Sequence, residues 1–369
     1  MRTLVTGGAG LIGSHIVDLL LEKGYEVTIL DSLEKPCHLM GKPSWIPKEA
    51  KFILGDVSNK ADLSKALEGV EVVFHQAAYQ GLLPDFSKFF VVNSSGTALI
   101  YELIVENNLP VKKVVVASSQ GVYGEGKYEC PNHGVMYPEA RSLERLMKRD
   151  WGVYCPICNE KMKSLPTDES TVKPKTTYAM SKYTQEMIAI NLGEMYNIPT
   201  VALRYAITQG PRQSIYHAYS GVCSIFSTRL INDLPPIIYE DGMQTRDYIY
   251  VGDVAQANLF VMENDAANYQ VFNVGTGKRT TVLEFLNILS KKFGKSIEPI
   301  MNYEFRLGDI RDFCPDVSKL ESLGWKATTP LEVTLEKYVE WIYTQGNVKD
   351  YFSEAEALMR KMNVIRGGK

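Results

Sequence analysis

A glycine-rich string near the start of the chain limits the fold more than any other feature. The residues MRTLVTGGAGLIGSH read as a short apolar strand, a glycine turn and the beginning of an amphipathic helix. Glycine permits the tight turn and lets backbone N–H groups at a helix N-terminus approach a pyrophosphate. A glycine string alone is weak evidence, but this one follows a strand, precedes a helix pattern and is followed by Asp31 at the end of the second predicted strand. The combination predicts a dinucleotide-binding βαβ unit.

The dinucleotide is predicted to be NAD. Asp31 can accept hydrogen bonds from both hydroxyls of the adenosine ribose, and its charge repels the additional phosphate of NADP. Asp56 closes the third strand in LGDV, where it can reach the adenine or serve only as a turn residue. The alternative for the whole motif is a glycine turn followed by a helix-capping aspartate.

Short apolar runs rich in β-branched residues alternate with helical patterns through the first half of the chain. The runs are TLVTG, EVTILD, KFILGD, VEVVFHQAA, VKKVVVASS and TVALRYA. Repeated strand and crossover helix predict an α/β fold, a Rossmann-type doubly wound parallel sheet that binds its ligand at the carboxyl edge of the strands. The 369 residues are enough for one large or two intergrown domains.

Composition and charge exclude several classes of partner. The chain has 40 Lys and Arg against 43 Asp and Glu, a net charge of −3, which gives no reason to expect nucleic acid or an anionic membrane. No apolar run is expected to approach a membrane span, and the chain starts with a strand pattern instead of a leader. We therefore expect a cytoplasmic protein that acts on a small molecule.

Two tyrosine–lysine pairs, each with a spacing of four residues, are candidates for acid–base chemistry. Oxidation of an alcohol needs a base, and a tyrosine serves only if its pKa of about 10 is lowered, for example by a lysine one helical turn away. Tyr123 and Lys127 enclose two glycines, which favours a loop. Tyr178 and Lys182, in YAMSK, open a long helical pattern that keeps both side chains on one face. We predict that the second pair is catalytic.

The end of the fifth strand supplies a hydroxyl at the same edge of the sheet. In VVVASSQGVYG, either Ser118 or Ser119 can hydrogen-bond the reacting oxygen, although a serine at a strand end is usually only a turn residue.

Five motifs together resemble one enzyme family. TGGAGLIG, SSQGVYG, YAMSK, RDYIYVGDVA and FNVGTG are similar to the extended short-chain dehydrogenase/reductases, which include the nucleotide-sugar epimerases and dehydratases. The resemblance runs from residue 2 to about Trp341. The stretch from GPRQS to DVAQANLF resembles the subgroup that acts at carbon 4, and the long insert is similar to that of dTDP-L-rhamnose 4-epimerases.

The resemblance assigns roles to individual residues. It makes Ser119 the catalytic hydroxyl, Tyr178 the base, and Lys182 the residue that orients the nicotinamide ribose and lowers the tyrosine pKa. The cofactor-binding residues are then Gly7, Gly10, Leu11, Ile12, Gly13, Asp31, Asp56, Val57, Ala77, Tyr178 and Lys182. The substrate-binding residues are Gln120, Asn93, Arg212, Arg246 and Arg306, with the last two on the substrate diphosphate, which suits bidentate arginine.

The resemblance favours epimerisation over elimination. Family dehydratases carry Asp-Glu after the catalytic hydroxyl, whereas this chain has Gln120-Gly121. An epimerase needs only the serine, tyrosine and lysine, with NAD kept bound and restored in each cycle. Ile207 stands where the family usually has an asparagine, which implies an altered substrate pose or unusual chemistry. The alternatives are a nucleotide-sugar dehydratase or 4-reductase and, more remotely, a non-catalytic NAD-sensing protein.

The domain boundary is predicted to be interleaved. Residues 1–209 form the NAD-binding domain, to which 247–276 return, whereas 210–246 and 277–369 form a smaller nucleotide-sugar lobe. In this family, helices around 93–108 and 177–196 pair across a dimer, so we expect a homodimer, although their apolar stripes can also simply cover the sheet.

A cysteine-rich insert at 125–165 does not belong to the common pattern. Tyr123 and Tyr178 are 55 residues apart, roughly twice the family spacing, and the surplus contains CPNH from Cys130 to His133 and CPIC from Cys155 to Cys158. Three thiolates and an imidazole match a closed, structural zinc site, with His133 either in place of the usual fourth cysteine or as a bystander. Unliganded thiols and a regulatory disulfide are the alternatives.

The insert is expected to lie beside the sugar pocket, since it leaves the strand of Ser119 and returns just before Tyr178. Our hypothesis is that zinc pins an active-site flap. The basic run ARSLERLMKRD, with Arg141, Arg145 and Lys148, is read as a solvated helix face or, alternatively, as a phosphate contact.

Overall fold

The computed structural model describes residues 1–81, 84–216 and 221–368. Its strands, in chain order, are β1 (Arg2–Thr6), β2 (Glu26–Asp31), β3 (Lys51–Leu54), β4 (Val72–His75), β5 (Lys113–Ser119), β6 (Tyr128–Cys130), β7 (Gly134–Met136), β8 (Lys163–Ser164), β9 (Thr200–Tyr205), β10 (Ile207–Gln209), β11 (Ile237–Ile238), β12 (Thr245–Arg246), β13 (Tyr248–Tyr250), β14 (Gln270–Val274), β15 (Thr280–Thr281), β16 (Ile300–Met301), β17 (Glu304–Arg306) and β18 (Ile365–Gly367).

The α-helices are α1 (Leu11–Glu22), α2 (Lys60–Leu67), α3 (Phe86–Phe89), α4 (Gly96–Glu106), α5 (Leu143–Met147), α6 (Thr177–Met195), α7 (Val222–Ile231), α8 (Val251–Glu263), α9 (Val282–Phe293), α10 (Ser318–Glu321), α11 (Leu331–Tyr343) and α12 (Phe352–Lys361). A π-helical segment, Phe90–Ser95, joins α3 to α4, and two short 3₁₀ segments lie at Gln120–Tyr123 and Asp265–Ala267.

The main sheet is parallel and doubly wound, as predicted. Its seven strands lie in the order β14-β9-β5-β4-β1-β2-β3. Strands such as β5 are continuous apolar runs because helices bury both faces. Clusters that include α1 and α8 cover one face, and clusters that include α2, α4 and α6 cover the other. The carboxyl ends of β1 and β5 therefore open on one edge, which brings the glycine turn and Ser119 together.

The second half of the chain builds a separate hydrophobic core. Helices α7, α9 and α11 pack together in the lobe that follows the sheet. Between its segments, β14 pairs with β9 and α8 packs against α1, so that stretch returns to the main sheet. Beyond α11, sequence reasoning identified no further element, yet α12 and β18 are formed, and β18 pairs antiparallel with β17.

The insert is a small β structure. Strands β7, β6 and β8 form a three-stranded antiparallel sheet over a cluster of Tyr128, Cys130, Val153, Cys155 and Met162. The basic run is helical only over α5, so the helix is shorter than the run of charges suggested.

One expectation about membranes is wrong. The run Phe86–Glu106 is 21 residues long, and its length and composition are sufficient for a membrane span. Half of its most apolar window is buried, and its α4 portion packs against α6, which is the behaviour of a core helix.

Candidate active site

The glycine turn leaves the N-terminus of α1 free of capping side chains. Gly7 has a φ of +66°, and a Cβ on Gly13 would lie 2.2 Å from the Gly7 carbonyl oxygen, so neither position accepts a side chain. A Cβ on Gly7 would meet the Ala77 nitrogen at 2.7 Å. Gly10 precedes α1 without a side-chain cap. The first-turn N–H groups therefore face the sheet edge with the positive end of the helix dipole, an arrangement that fits a pyrophosphate.

Asp31 lies beside this turn, as the sequence predicted. Its two carboxylate oxygens accept hydrogen bonds from the backbone N–H groups of Ala9 and Leu33, each at 2.9 Å. A carboxylate has about four acceptor positions, so two remain for ribose hydroxyls. Asp56 is used locally, accepting from the N–H and hydroxyl of Ser58. Val57 is buried against Gly96.

Ser119, Tyr178 and Lys182 converge at the carboxyl end of β5. The hydroxyls of Ser119 and Tyr178 are hydrogen-bonded to each other, and Ser119 Oγ accepts from the Gly121 N–H at 3.1 Å. Tyr178 and Lys182 lie one turn apart in α6, whose start is capped by Thr176. The alternative pair is excluded by geometry: the Tyr123 hydroxyl is buried in a bond to Asn273, and Lys127 pairs with Asp168.

Burial controls the protonation of the two groups. It lowers the pKa of Lys182 to about 7, against a smaller rise caused by Glu186. It raises the pKa of Tyr178, and the bond with Ser119 only opposes that rise. The expectation that Lys182 lowers the tyrosine pKa by charge is not met in the protein alone, because desolvation of the phenol dominates.

The sequence did not predict a buried ion pair that joins α6 to β9. Glu186 receives both guanidinium arms of Arg204 at 2.6 and 2.9 Å and the Ser118 hydroxyl at 2.8 Å. Arg204 also donates to the Tyr123 hydroxyl at 2.8 Å. The signal available in the sequence was the position of Glu186 one helical turn after Lys182, but its partner, Arg204, lies on β9. The network fixes α6 to the strand of Ser119.

Asn93 and Gln120 lie in the same region with different surroundings. The Asn93 amide accepts from the Tyr79 N–H at 2.7 Å and donates to the Ser181 hydroxyl at 2.9 Å, which ties α6 to the loop after β4. Its amide is thus occupied by the protein and acts as a support. Gln120 Oε1 is buried and has no hydrogen-bond partner among the described residues, so it is an acceptor beside Ser119 that a ligand hydroxyl can satisfy.

Two of the three predicted substrate arginines are close together. Arg306 contacts Asp309 through Nε at 3.0 Å and lies over the Tyr239 ring. Arg246 donates to the Ile310 carbonyl at 2.5 Å, and both guanidinium groups act to lower the Asp309 pKa. Arg212 is elsewhere: it has a φ of +70° and pairs with Asp18 of α1 at 2.7 Å.

The four predicted metal ligands are brought together. The ligand atoms of Cys130, His133, Cys155 and Cys158 all lie within 4.8 Å of one another. The Cys130 and Cys158 sulfurs are 3.5 Å apart, near the ~3.8 Å expected for thiolates at ~2.3 Å around tetrahedral zinc and far beyond a disulfide bond of about 2.05 Å.

Both hairpins have the same pattern of N–H donors to sulfur. Cys130 receives backbone N–H groups from the residues two and three positions later, and Cys155 does the same from Ile157 and Cys158. Donors repeated at both turns hold the sulfurs toward one point.

Arg141 corrects the expectation of a solvated basic face. Its guanidinium is buried and bidentate to Glu240 at 2.7 and 2.8 Å, and it also donates to the Asp309 carbonyl at 2.7 Å. Arg145 pairs with Asp150 and stacks on Tyr154, so it belongs to the insert itself. Only Lys148, in an exposed pair with Glu144, matches the expectation. Neither interpretation of the basic run predicted that Arg141 attaches the insert to the substrate lobe.

Comparison with known proteins agrees with this geometry. A family model described as "NAD dependent epimerase/dehydratase family" matches residues 3–141 and 156–275, and omits the centre of the insert. A putative UDP-glucose 4-epimerase of Methanocaldococcus jannaschii is 35% identical over 92% of this chain and 97% of its own. A dTDP-L-rhamnose 4-epimerase of Burkholderia thailandensis is 30% identical over 92% and 94%.

The fold has a solved counterpart with substrate. The crystal structure of a UDP-glucose 4-epimerase from Thermotoga maritima, with UDP-glucose, matches 94% of this chain and 100% of its own, with a TM-score of 0.78 and 31% identity. The resemblance inferred from the five motifs is thereby confirmed. With its glycine turn, its Ser119–Tyr178–Lys182 group and these relatives, the chain belongs to the NAD-dependent epimerase/dehydratase family.

Proposed function

We propose that the protein is a nucleotide-sugar 4-epimerase that keeps NAD bound through the catalytic cycle. The observation that carries the proposal is the hydrogen bond between Ser119 and Tyr178, one turn from Lys182, at the sheet edge that also holds the glycine turn. Relatives with matching full-length chains are named 4-epimerases.

Each catalytic side chain has a defined task. Bound NAD supplies a reversible hydride acceptor for the sugar carbon. Once deprotonated, the Tyr178 oxygen takes the proton of the sugar 4-hydroxyl and later returns it, while Ser119 hydrogen-bonds the sugar oxygen. The Lys182 side chain is almost fully buried and its Nζ donates to Gln185 Oε1 at 2.6 Å; this residue would hold the ribose of the nicotinamide.

The residues after the catalytic serine favour epimerisation over loss of water. Elimination needs an acid and a base beside the sugar ring, and Gln120-Gly121 provides neither. The unsatisfied Gln120 Oε1 instead offers an acceptor for a sugar hydroxyl. Arg246 and Arg306 are proposed for the substrate diphosphate, with UDP or dTDP as the nucleotide.

Product analysis without added cofactor tests the proposal. Purified protein is incubated with UDP- and dTDP-hexoses, and products are followed by mass and proton NMR, with Tyr178→Phe as the control. An isomer of unchanged mass whose H4 couplings are inverted is the expected product. Loss of 18 mass units would indicate a dehydratase, and turnover only with added NADPH would indicate a reductase.

We also propose that Cys130, His133, Cys155 and Cys158 bind a structural zinc ion. Support comes from the convergence of the four ligand atoms and the repeated N–H donors at both turns. Four protein ligands leave no position for water, which suits a structural role.

Metal analysis of the purified protein is the test for zinc. We expect one zinc per chain in the wild type, much less in Cys158→Ser, and an unchanged amount in Cys37→Ser, a cysteine outside the cluster. A metal-free wild type with full thermal stability would contradict the site.

The third proposal is a homodimer formed through α4 and α6. Met180 and Met187 lie two turns apart on α6 and are 40% and 41% exposed. Light scattering should give twice the chain mass, and Met187→Glu should reduce it to one chain; a wild-type monomer would contradict the interface.

A further inference from the structure

The segment formed by residues 352–367, called the clamp below, follows α11 and contacts β17, the strand that carries Arg306. Strand β17 is paired by β18 alone among the strands of the described residues, with Arg306 opposite Ile365 and Glu304 opposite Gly367. Arg306 ends this short strand, so the strand's position sets where the guanidinium starts.

A second contact fixes the beginning of the same strand. Arg360 of α12 donates through both guanidinium arms to the Glu304 carboxylate and also reaches Glu356 at 2.9 Å. Glu304 is buried, so this pair is shielded from solvent on its acidic side. Burial of a paired carboxylate makes the contact specific, because loss of the arginine leaves a charge without a partner.

A third contact lies beneath the guanidinium. The ring of Tyr239 supports Arg306 at 5.4 Å, and its hydroxyl donates to Glu356 of α12 at 3.4 Å. Phe352, Met359 and Ile365 form a buried cluster with the neighbourhood of Tyr239, which anchors α12 to the lobe. The segment thus pairs with Arg306 directly through Ile365 and reaches it indirectly through Glu304, two residues earlier, and through Tyr239.

The close approach of β18 depends on glycine. Gly367 has a φ of +78°, and a Cβ there would lie 2.9 Å from the Phe305 ring. Phe305 is itself fully buried against Leu146 and Trp151 of the insert. Strand β17 is therefore held between the insert on one side and the C-terminal segment on the other.

We propose that residues 352–367 are a positioning device for the substrate diphosphate, and that Arg360 and Glu304 act through Arg306 without touching substrate. The inference rests on the proposed nucleotide-sugar site, and assigns it a dependence on a segment outside the common motifs. If so, variants that break these contacts should weaken diphosphate binding, whereas a nucleoside without phosphate should bind to them as tightly as it binds to the wild type.

Calorimetric titration of the full chain with UDP or dTDP, whichever the wild type binds more tightly, and with the corresponding nucleoside tests this role. Arg360→Met and Glu304→Gln should each weaken diphosphate binding roughly tenfold, which is the effect expected when one charged hydrogen bond is lost. Nucleoside binding should stay within about twofold, a change of under half a kilocalorie per mole. Lys361→Met, an exposed neighbour on α12, should change neither.

A double variant separates positioning from general destabilisation. Arg306→Met should weaken diphosphate binding, and adding Arg360→Met to it should cost less than about twofold more, because the two act as one unit. Gly367→Ala, which disturbs the pairing without changing a charge, should reproduce the effect of Arg360→Met. Fully additive losses, or equal losses for nucleoside and diphosphate, would overturn the proposal.

The outcomes also separate this inference from the proposed function. If the wild type binds the diphosphate but converts no sugar, the proposed 4-epimerase function is contradicted, and the binding data on the variants still decide the positioning role. If the wild type binds neither UDP nor dTDP, both the function and the positioning role are contradicted.

Discussion

At the scale of single residues, burial favours the neutral forms of both catalytic groups. It raises the pKa of Tyr178 and lowers that of Lys182 to about 7. The phenol therefore starts protonated and hydrogen-bonded to Ser119, and its oxygen is already placed at the end of β5. Position, more than a preformed phenolate, is what the protein alone supplies.

Tyr178→Phe tests the role of the hydroxyl. Removal of the general acid–base group should lower kcat by about 10³-fold, within the range for such catalysis. The phenyl ring fills the same space, so the melting temperature and the amount of co-purified NAD should change little. Loss of NAD together with activity would point instead to a binding role.

Lys182→Met tests the buried ammonium by pH. The lysine pKa is lowered from 10.5 to about 7 in the folded protein, so between these values the unfolded chain binds a proton that the folded protein does not. Wild-type stability should therefore gain from this group as pH rises through that window. The variant lacks this gain.

In urea unfolding of NAD-free protein, Lys182→Met should have its largest advantage over the wild type near pH 6.5, with the difference narrowing toward about pH 9.5. A difference independent of pH would show that Lys182 keeps its ordinary pKa.

At the scale of elements, the glycine turn and its helix make one unit whose geometry leaves no space for side chains. Gly13→Ala would place a carbon 2.2 Å from the Gly7 oxygen, whereas Gly10→Ala would place one at 3.3 Å from the same atom. We expect the first change to abolish co-purified NAD and the second to reduce it less. The nucleotide released on denaturation, measured by absorbance, gives the comparison; equal retention in both would contradict the assigned turn.

Local elements were the ones predictable from sequence. The glycine turn depends on residues within one βα unit, and the Tyr178–Lys182 pair lies within one helical turn, so their spacing together with the flanking strand and helix patterns was enough to predict both. The cysteine hairpins were also local. Arg141 and Glu240 are 99 positions apart, and β17 and β18 about 60, so no pattern in the chain joins them. Such pairs are set by tertiary packing, which reversed the reading of Arg141 from solvated to buried.

At the scale of the whole molecule, the insert and the C-terminal segment brace the substrate lobe from two directions. Arg141 joins the insert to Glu240, and Trp151 packs edge-on against Phe305 of β17 at 6.1 Å. The insert and the lobe are thus coupled through contacts near the predicted diphosphate arginines.

Arg141→Met should be strongly destabilising because it leaves Glu240 and Glu125 with less compensation in a buried site. We expect a loss of about 3 kcal/mol in unfolding free energy. Arg145→Met, whose ion pair is about one-third exposed, should cost less than about 1 kcal/mol. Urea unfolding of both variants provides the comparison, and equal small losses would contradict the bracing role.

The fate of the hydrogen on carbon 4 tests most directly whether hydride leaves the sugar and returns to it through bound NAD. UDP-glucose carrying deuterium at that carbon is incubated with the protein without added NAD, and the product is analysed by NMR and mass. We expect an epimer that retains deuterium on the inverted carbon, because the same hydrogen leaves and returns through bound NAD. Replacement of deuterium by solvent hydrogen, or its appearance at another carbon, would contradict this mechanism.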